Sequence, residues 1–212
     1  MDLDALNDEQ RRVLKTGTTT VGIVCKDGVV LASESKATMG YMIAHKEVKK
    51  VFQIDDFIGA TTAGGVGDIQ ALIRLIKAEI NLYKMNRGEI TINAVSTLLG
   101  NILHNNRYFP LLAVMLIGGK DKTGFHLYSL FPDGSAIEDK FISTGSGSPF
   151  AYGVLEDNFK SDLSVNDAIN IAVRSIKSAR ERDIASGGKK IVVAKVTDKG
   201  FEFVDENIIK KI

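Results

Sequence analysis

A chain with a single cysteine, Cys25, closes no disulfide within itself and builds no cysteine-based metal site. Flanked by apolar residues, Cys25 reads as a small core side chain rather than a reactive thiol. Histidine is nearly as scarce. His45, His104 and His126 are scattered, and none neighbours a serine in sequence as a base would. The signatures HExxH, CxxC and GxSxG are missing. No stretch approaches the roughly 20 apolar residues of a membrane helix. The opening MDLDALNDEQRRVLKTG has no apolar centre of the secretory kind, so a cytoplasmic location is expected. Neither sign of charge dominates: the net charge is +1, without a long basic block, which argues against nucleic acid and membrane partners. What remains is an ordinary globular composition, 44% hydrophobic and 25% charged, in 212 residues, enough for one well-cored domain.

Against those absences stands Gly17-Thr18-Thr19-Thr20-Val21-Gly22. A hydroxyl nucleophile needs a base. A cut between Gly17 and Thr18 would supply one on the same residue, a new α-amine with an ordinary pKa of roughly 7.7–8.0. The plainer reading is a threonine-rich strand start after a glycine turn, and taken alone the six residues favour it.

Residues 1–17 are polar and of mixed charge, a short helix or an unordered segment. From Thr18 the period is two: Thr19, Val21, Ile23 and Cys25 share one face, Thr18, Thr20, Gly22 and Val24 the other. Lys26-Asp27-Gly28 turns the chain into a second strand, 29–34. Strands follow at 50–54 and 57–63. Ile69, Leu72, Ile73, Ile76 and Ile80 then take helical spacing, ended by Gly88, and a second helix carries Ile92 to Leu103. Strands are expected at 111–117, 124–130 and 135–139, helices near 149–158 and 164–182, and a hairpin at 190–196 and 201–204. Ser164 and Asp167 have capping-box spacing, with aspartate a weaker partner than glutamate. The order of elements predicts an α+β fold in one domain, two mainly antiparallel sheets each covered by a helix pair.

Several residues carry two readings. In Gly64-Gly65-Val66-Gly67 the Gly65-Val66-Gly67 step is followed by Asp68, Ile69 and Gln70 instead of the third glycine of a dinucleotide fingerprint, and no Gly-Lys-Ser/Thr follows, which rules against a nucleotide loop; the segment is either a tight strand-to-helix turn or a set of N–H groups for an oxyanion. Glu34, Lys36 and Lys50 are by default solvated charges; buried beside Thr18, a lysine would lower the pKa of a neighbouring amine. Ser146 has the place of a helix cap before Pro149, and Asp183 and Ser186 that of helix-end residues.

Together these segments resemble the β-subunits of archaeal 20S proteasomes, which are N-terminal nucleophile hydrolases. The resemblance runs from Gly17 onward. It rests on Gly17 to Gly22, on Ala32 to Gly40, on Lys49-Lys50-Val51-Phe52 and on Ala63 to Asp68. It also rests on Ser143 to Ser148, Gly153 to Glu156 and Glu181 to Gly188. It implies the four-layer αββα sandwich of that family, with residues 1–17 a propeptide and 18–212 the mature domain. It implies autocleavage between Gly17 and Thr18, Thr18 as nucleophile and Lys50 paired with Glu34. It further implies Gly64 as oxyanion donor, and Ser146, Asp183 and Ser186 around the N-terminus. Ala37, Val48, Thr62 and Val66 would line a pocket for the side chain before the cut, mainly apolar and so favouring cleavage after hydrophobic residues. Homo-heptameric β rings stacked in pairs, capping α-subunit rings, an ATPase ring and unfolded protein substrates are implied as partners, and no metal or organic cofactor. Two positions depart from the pattern: Lys36 replaces a usual arginine, losing its bidentate fork, and the aspartate that often follows the Ser-Gly-Gly turn is lacking after Gly187-Gly188. The alternatives are an unprocessed structural subunit of the same ring, or a stand-alone amidase of the superfamily.

Overall fold

The computed structural model describes residues 17–40 and 42–212; the reading of the first 16 residues lies outside them. Twelve strands and five helices are described. One sheet has the order β10-β1-β2-β11-β12, built from Phe141–Thr144, Thr20–Cys25, Gly28–Glu34, Ile191–Thr197 and Gly200–Phe203. The other runs β5-β6-β7-β8-β9, from Val51–Asp55, Ile58–Gly64, Ala113–Asp121, Gly124–Leu130 and Ala136–Glu138. A small hairpin pairs β3 (Ala37–Met39) with β4 (Met42–His45). Within both sheets all neighbours are antiparallel.

The period of two in β1 does what an alternating strand must. Val21, Ile23 and Cys25 face one core with Ile169, Ala172, Val173 and Ile176 of helix α4 (Val165–Arg182), while Val24 faces Leu31, Leu116 and Leu127 between the sheets. A Cβ on Gly22 would lie 2.6 Å from Leu127 Cδ1, and one on Gly118 2.8 Å from Val29 Cγ1, so glycine lets the sheets close on each other there. The second sheet buries its outer face under α1 (Val66–Arg87) and α2 (Ile92–Asn105), with Leu72, Ile76, Ile80, Val95, Leu99 and Leu103 in that core. Each wholly buried aliphatic side chain of this set is worth about 1.5–3 kcal/mol. α3 (Ser148–Asn158) packs beside α4. The four layers, helices, sheet, sheet, helices, are those expected.

Local signals behave as their chemistry requires. Gly88 ends α1 at φ 83°, its N–H returning to Lys84 O at 3.1 Å. Thr91 caps α2 through Ala94 N at 3.2 Å. Ser164 and Asp167 form a complete capping box, so the shorter aspartate suffices. Four elements are additions to the sequence reading: β3 and β4 of the small hairpin, β10, and the short helix α5 (Glu206–Lys210). β7 also runs four residues beyond the expected Ile117, because Gly118 and Gly119 pair with Gly59 and Ile58 instead of turning.

Candidate active site

Antiparallel register brings the ends of seven elements to one edge of the sandwich. Thr18 precedes β1, Glu34 closes β2, Lys50 precedes β5 and Gly64 closes β6. Ser146 follows β10, Asp183 caps the C-terminus of α4, and Ser186 lies before β11. Pairing of Thr20 with both Ser33 and Thr144, and of Ile191 with Glu34, holds these ends together.

Glu34 and Lys50 are not solvated. They are 1% and 7% exposed and form a buried ion pair, which corrects the default reading of those charges. The Glu34 carboxylate also accepts three backbone N–H groups, from Lys36 at 2.6 Å, Gly187 at 3.1 Å and Thr19 at 3.4 Å. Lys50 Nζ donates to Lys36 O and to Thr18 Oγ1, the latter at 2.9 Å. Burial lowers the Lys50 pKa below its ordinary value, while Glu34 opposes that shift. Thr18 Oγ1 in turn donates to the Gly17 carbonyl oxygen at 2.6 Å. The hydroxyl therefore lies between an ammonium of depressed pKa and the carbonyl of the preceding residue.

A second set holds the Thr18 nitrogen. Its N–H donates to Ser146 Oγ at 3.3 Å, and Ser146 donates to Asp183 Oδ2 at 2.6 Å. Ser186 also donates to Asp183 Oδ2 at 2.6 Å. Since that spends the Ser186 proton, Thr19 Oγ1 is the donor in the 2.6 Å contact between Thr19 and Ser186. Asp183 thus ends two chains of donors. Ser146 is not a helix cap: the N-cap of α3 is Gly147, with no side-chain cap bond. Thr19 was absent from the sequence-derived set, though the period of two already turns its hydroxyl toward the helix layer, where a buried hydroxyl needs a partner.

Beside Thr18 lies a cavity of about 370 Å³. Ala37, Val48, Thr62 and Val66 stand on its walls, together with Gly64, and Phe52 and Ile69 add apolar surface that the sequence reading lacked. Gly64 takes φ +130°, and a Cβ there would overlap Leu112 O. The adjoining Gly65 N–H is committed to Leu112 O at 2.6 Å, which anchors the turn. Lys36, the departure from arginine, donates its Nζ to Ile184 O at 2.7 Å, a single bond to the turn that carries Asp183.

Gly145 sits at φ +93° with its Cα against Thr18; a Cβ would overlap Thr18 O and lie 2.8 Å from its carbonyl carbon. Gly145→Ala is therefore expected to destabilise the chain by at least about 2 kcal/mol. In a chain of this size that lowers the thermal midpoint by about 4–8 °C. An unchanged midpoint would contradict the close approach.

Other chemistries find no support at this edge. Cys25 is buried and its thiol is pushed up to about 12, mainly by burial, so it stays protonated. His126 bonds to Thr123 and Glu138, and His104 to Asp133 O. Among the described residues no group of three or more His, Cys, Asp or Glu is placed to hold a metal ion, and no helix is long and apolar enough to cross a membrane.

Two facing antiparallel sheets between helix pairs, with a threonine at the head of an inner strand and a lysine on its hydroxyl, define the fold class of the N-terminal nucleophile hydrolases. A family model described as proteasome subunit matches residues 14–196. The proteasome subunit beta of Methanosarcina mazei is 53% identical over 92% of this chain and 93% of its own length. That of Methanothermobacter thermautotrophicus is 51% identical with the same coverage. The proteasome subunit beta of Ferroglobus placidus is 55% identical over 91% of this chain and 92% of its own. The chain belongs to the proteasome subunit family, in its β-type branch.

Proposed function

We propose that this chain is an autoprocessed threonine endopeptidase, made as a precursor whose residues 1–17 are a propeptide. The observation that carries the reading is the contact of Lys50 Nζ with Thr18 Oγ1 at 2.9 Å while that oxygen lies 2.6 Å from Gly17 O. In the first step Thr18 Oγ attacks the Gly17 carbonyl carbon. The Oγ–C bond forms, the C–N bond breaks, and the hydroxyl proton passes to the departing Thr18 nitrogen. Water then hydrolyses the resulting ester, releasing Gly17 as a carboxylate and leaving Thr18 with a free hydroxyl and α-amine. In the mature enzyme that amine is the general base, and an acyl ester on Thr18 is the intermediate of peptide hydrolysis.

The remaining residues take roles that fit their surroundings. Lys50 raises the local positive potential and keeps the neighbouring amine neutral near physiological pH. Glu34 holds Lys50 in place. The Gly64 N–H stabilises the oxyanion. Ser146, Asp183 and Ser186 hold the new N-terminus where the peptide N–H now lies. Ala37, Val48, Thr62 and Val66 receive the side chain before the scissile bond, and their apolar character favours cleavage after hydrophobic residues. As the family relationship suggests, the subunit works in homo-heptameric rings stacked in pairs, capped by α-subunit rings and supplied with unfolded protein by an ATPase ring, in the cytoplasm.

The test is the intact mass of the chain co-expressed with a proteasome α-subunit. Loss of residues 1–17 is the expected result. A full-length mass from an assembled particle would overturn it in favour of an unprocessed structural subunit.

A further inference from the structure

Gly17 packs against Ala185 so closely that a Cβ on the glycine would overlap the Ala185 Cβ and lie 2.7 Å from its Cα and 2.9 Å from its carbonyl oxygen. Ala185 cannot easily give way. Its N–H donates to Asp183 Oδ1 at 3.2 Å, the next N–H, of Ser186, donates to Asp183 O at 3.1 Å, and Lys36 Nζ clamps Ile184 O at 2.7 Å. The turn that presents Asp183 and Ser186 to the site is thus the same rigid turn that presses a methyl group onto residue 17.

From this we propose that Ala185 is a positioning residue for prosegment removal: it admits only glycine at position 17 and sets the Gly17 carbonyl over the Thr18 hydroxyl. A side chain at 17 would be displaced by the fixed turn and would carry its own carbonyl away from Thr18 Oγ1. Attack needs the reacting atoms about 3 Å apart and aligned, and a displacement of 1 Å can cost about a hundredfold. The inference rests on the autoprocessing proposed above, and adds the residue that selects the substrate of that step.

A double-mutant cycle tests it, with full-length chains co-expressed with a proteasome α-subunit. The rate of loss of residues 1–17 is read by intact mass, and assembly by particle size. Gly17→Ala is expected to slow removal by about a hundredfold. Ala185→Gly removes the overlapping methyl and leaves the 2.7 Å and 2.9 Å approaches. In the Gly17→Ala background it should therefore recover part of the loss, about tenfold, whereas with Gly17 present it should bring no gain. A residue that merely supported the turn would give additive effects. Ala185→Val, which enlarges the same methyl, provides a second reading by slowing removal in the wild-type background. Independence of the Gly17→Ala defect from residue 185, or removal at the wild-type rate in Ala185→Val, would overturn the inference. A wild-type chain that keeps its first 17 residues would instead overturn the autoprocessing on which it rests.

Discussion

A Thr18→Ala chain co-expressed with a proteasome α-subunit is expected to keep residues 1–17 and to lose peptide hydrolysis by at least about 10⁴-fold, the scale seen when a covalent nucleophile is removed. The fold should survive. Thr18 Oγ1 makes two bonds, accepting from Lys50 and donating to Gly17 O. Lys50 retains the Glu34 carboxylate and Lys36 O when the hydroxyl is gone. The stability lost is that of ordinary hydrogen bonds, about 1–2 kcal/mol, small beside the catalytic effect. Thr18→Ser keeps a hydroxyl at the same place and should still process and hydrolyse. Hydrolysis persisting in Thr18→Ala, or absent from Thr18→Ser in an assembled particle, would remove Thr18 from the role of nucleophile.

Why the serine control and the threonine chain share a site at all is decided by elements that differ greatly in how plainly the sequence shows them. Periodicity and turn chemistry are local, and they are legible. The alternation of β1, the Asp27-Gly28 turn, the isoleucine and leucine spacing of α1 and α2 and the box at Ser164 each act within a few residues, and each appears where expected. β10 escaped because its four residues, Phe-Ile-Ser-Thr, have no pattern of their own. They become a strand only by pairing with β1, more than a hundred residues earlier. The β3–β4 hairpin is likewise short, and β4 is exposed throughout.

The site divides in the same way. Its residue types were visible in sequence, and the family resemblance gathered them, but nothing local to Glu34 says that it is buried. Its burial comes from Lys50, Gly187, Lys36 and Thr19 converging on one carboxylate from four segments. The contact of Ala185 with Gly17 is less legible still. Alanine beside glycine carries no chemical signature, and their proximity exists only once α4 and β1 are packed in the same sandwich.

That convergence on Glu34 separates what the buried pair does for stability from what it does for chemistry. Lys50→Met would leave a carboxylate that is 1% exposed without its counter-ion, and Glu34→Gln would leave the Lys50 ammonium in the same position. Breaking a buried pair from one side typically costs about 3–5 kcal/mol, because the remaining charge stays buried. Each single variant is therefore expected to unfold roughly 10 °C lower than the wild-type chain. Replacing both charges at once removes the uncompensated charge and is often close to neutral, so the double variant Glu34→Gln/Lys50→Met should regain most of that stability, a strong coupling in a double-mutant cycle. The chemistry should not follow. In Lys50→Met and in the double variant Thr18 Oγ1 would lack the Lys50 Nζ that donates to it at 2.9 Å, and removal of residues 1–17 should stay defective in both. Unfolding midpoints and intact masses measured on the same four chains decide it. Additive midpoints would show that Glu34 and Lys50 are not energetically paired. Full processing in the double variant would assign Lys50 a purely structural role.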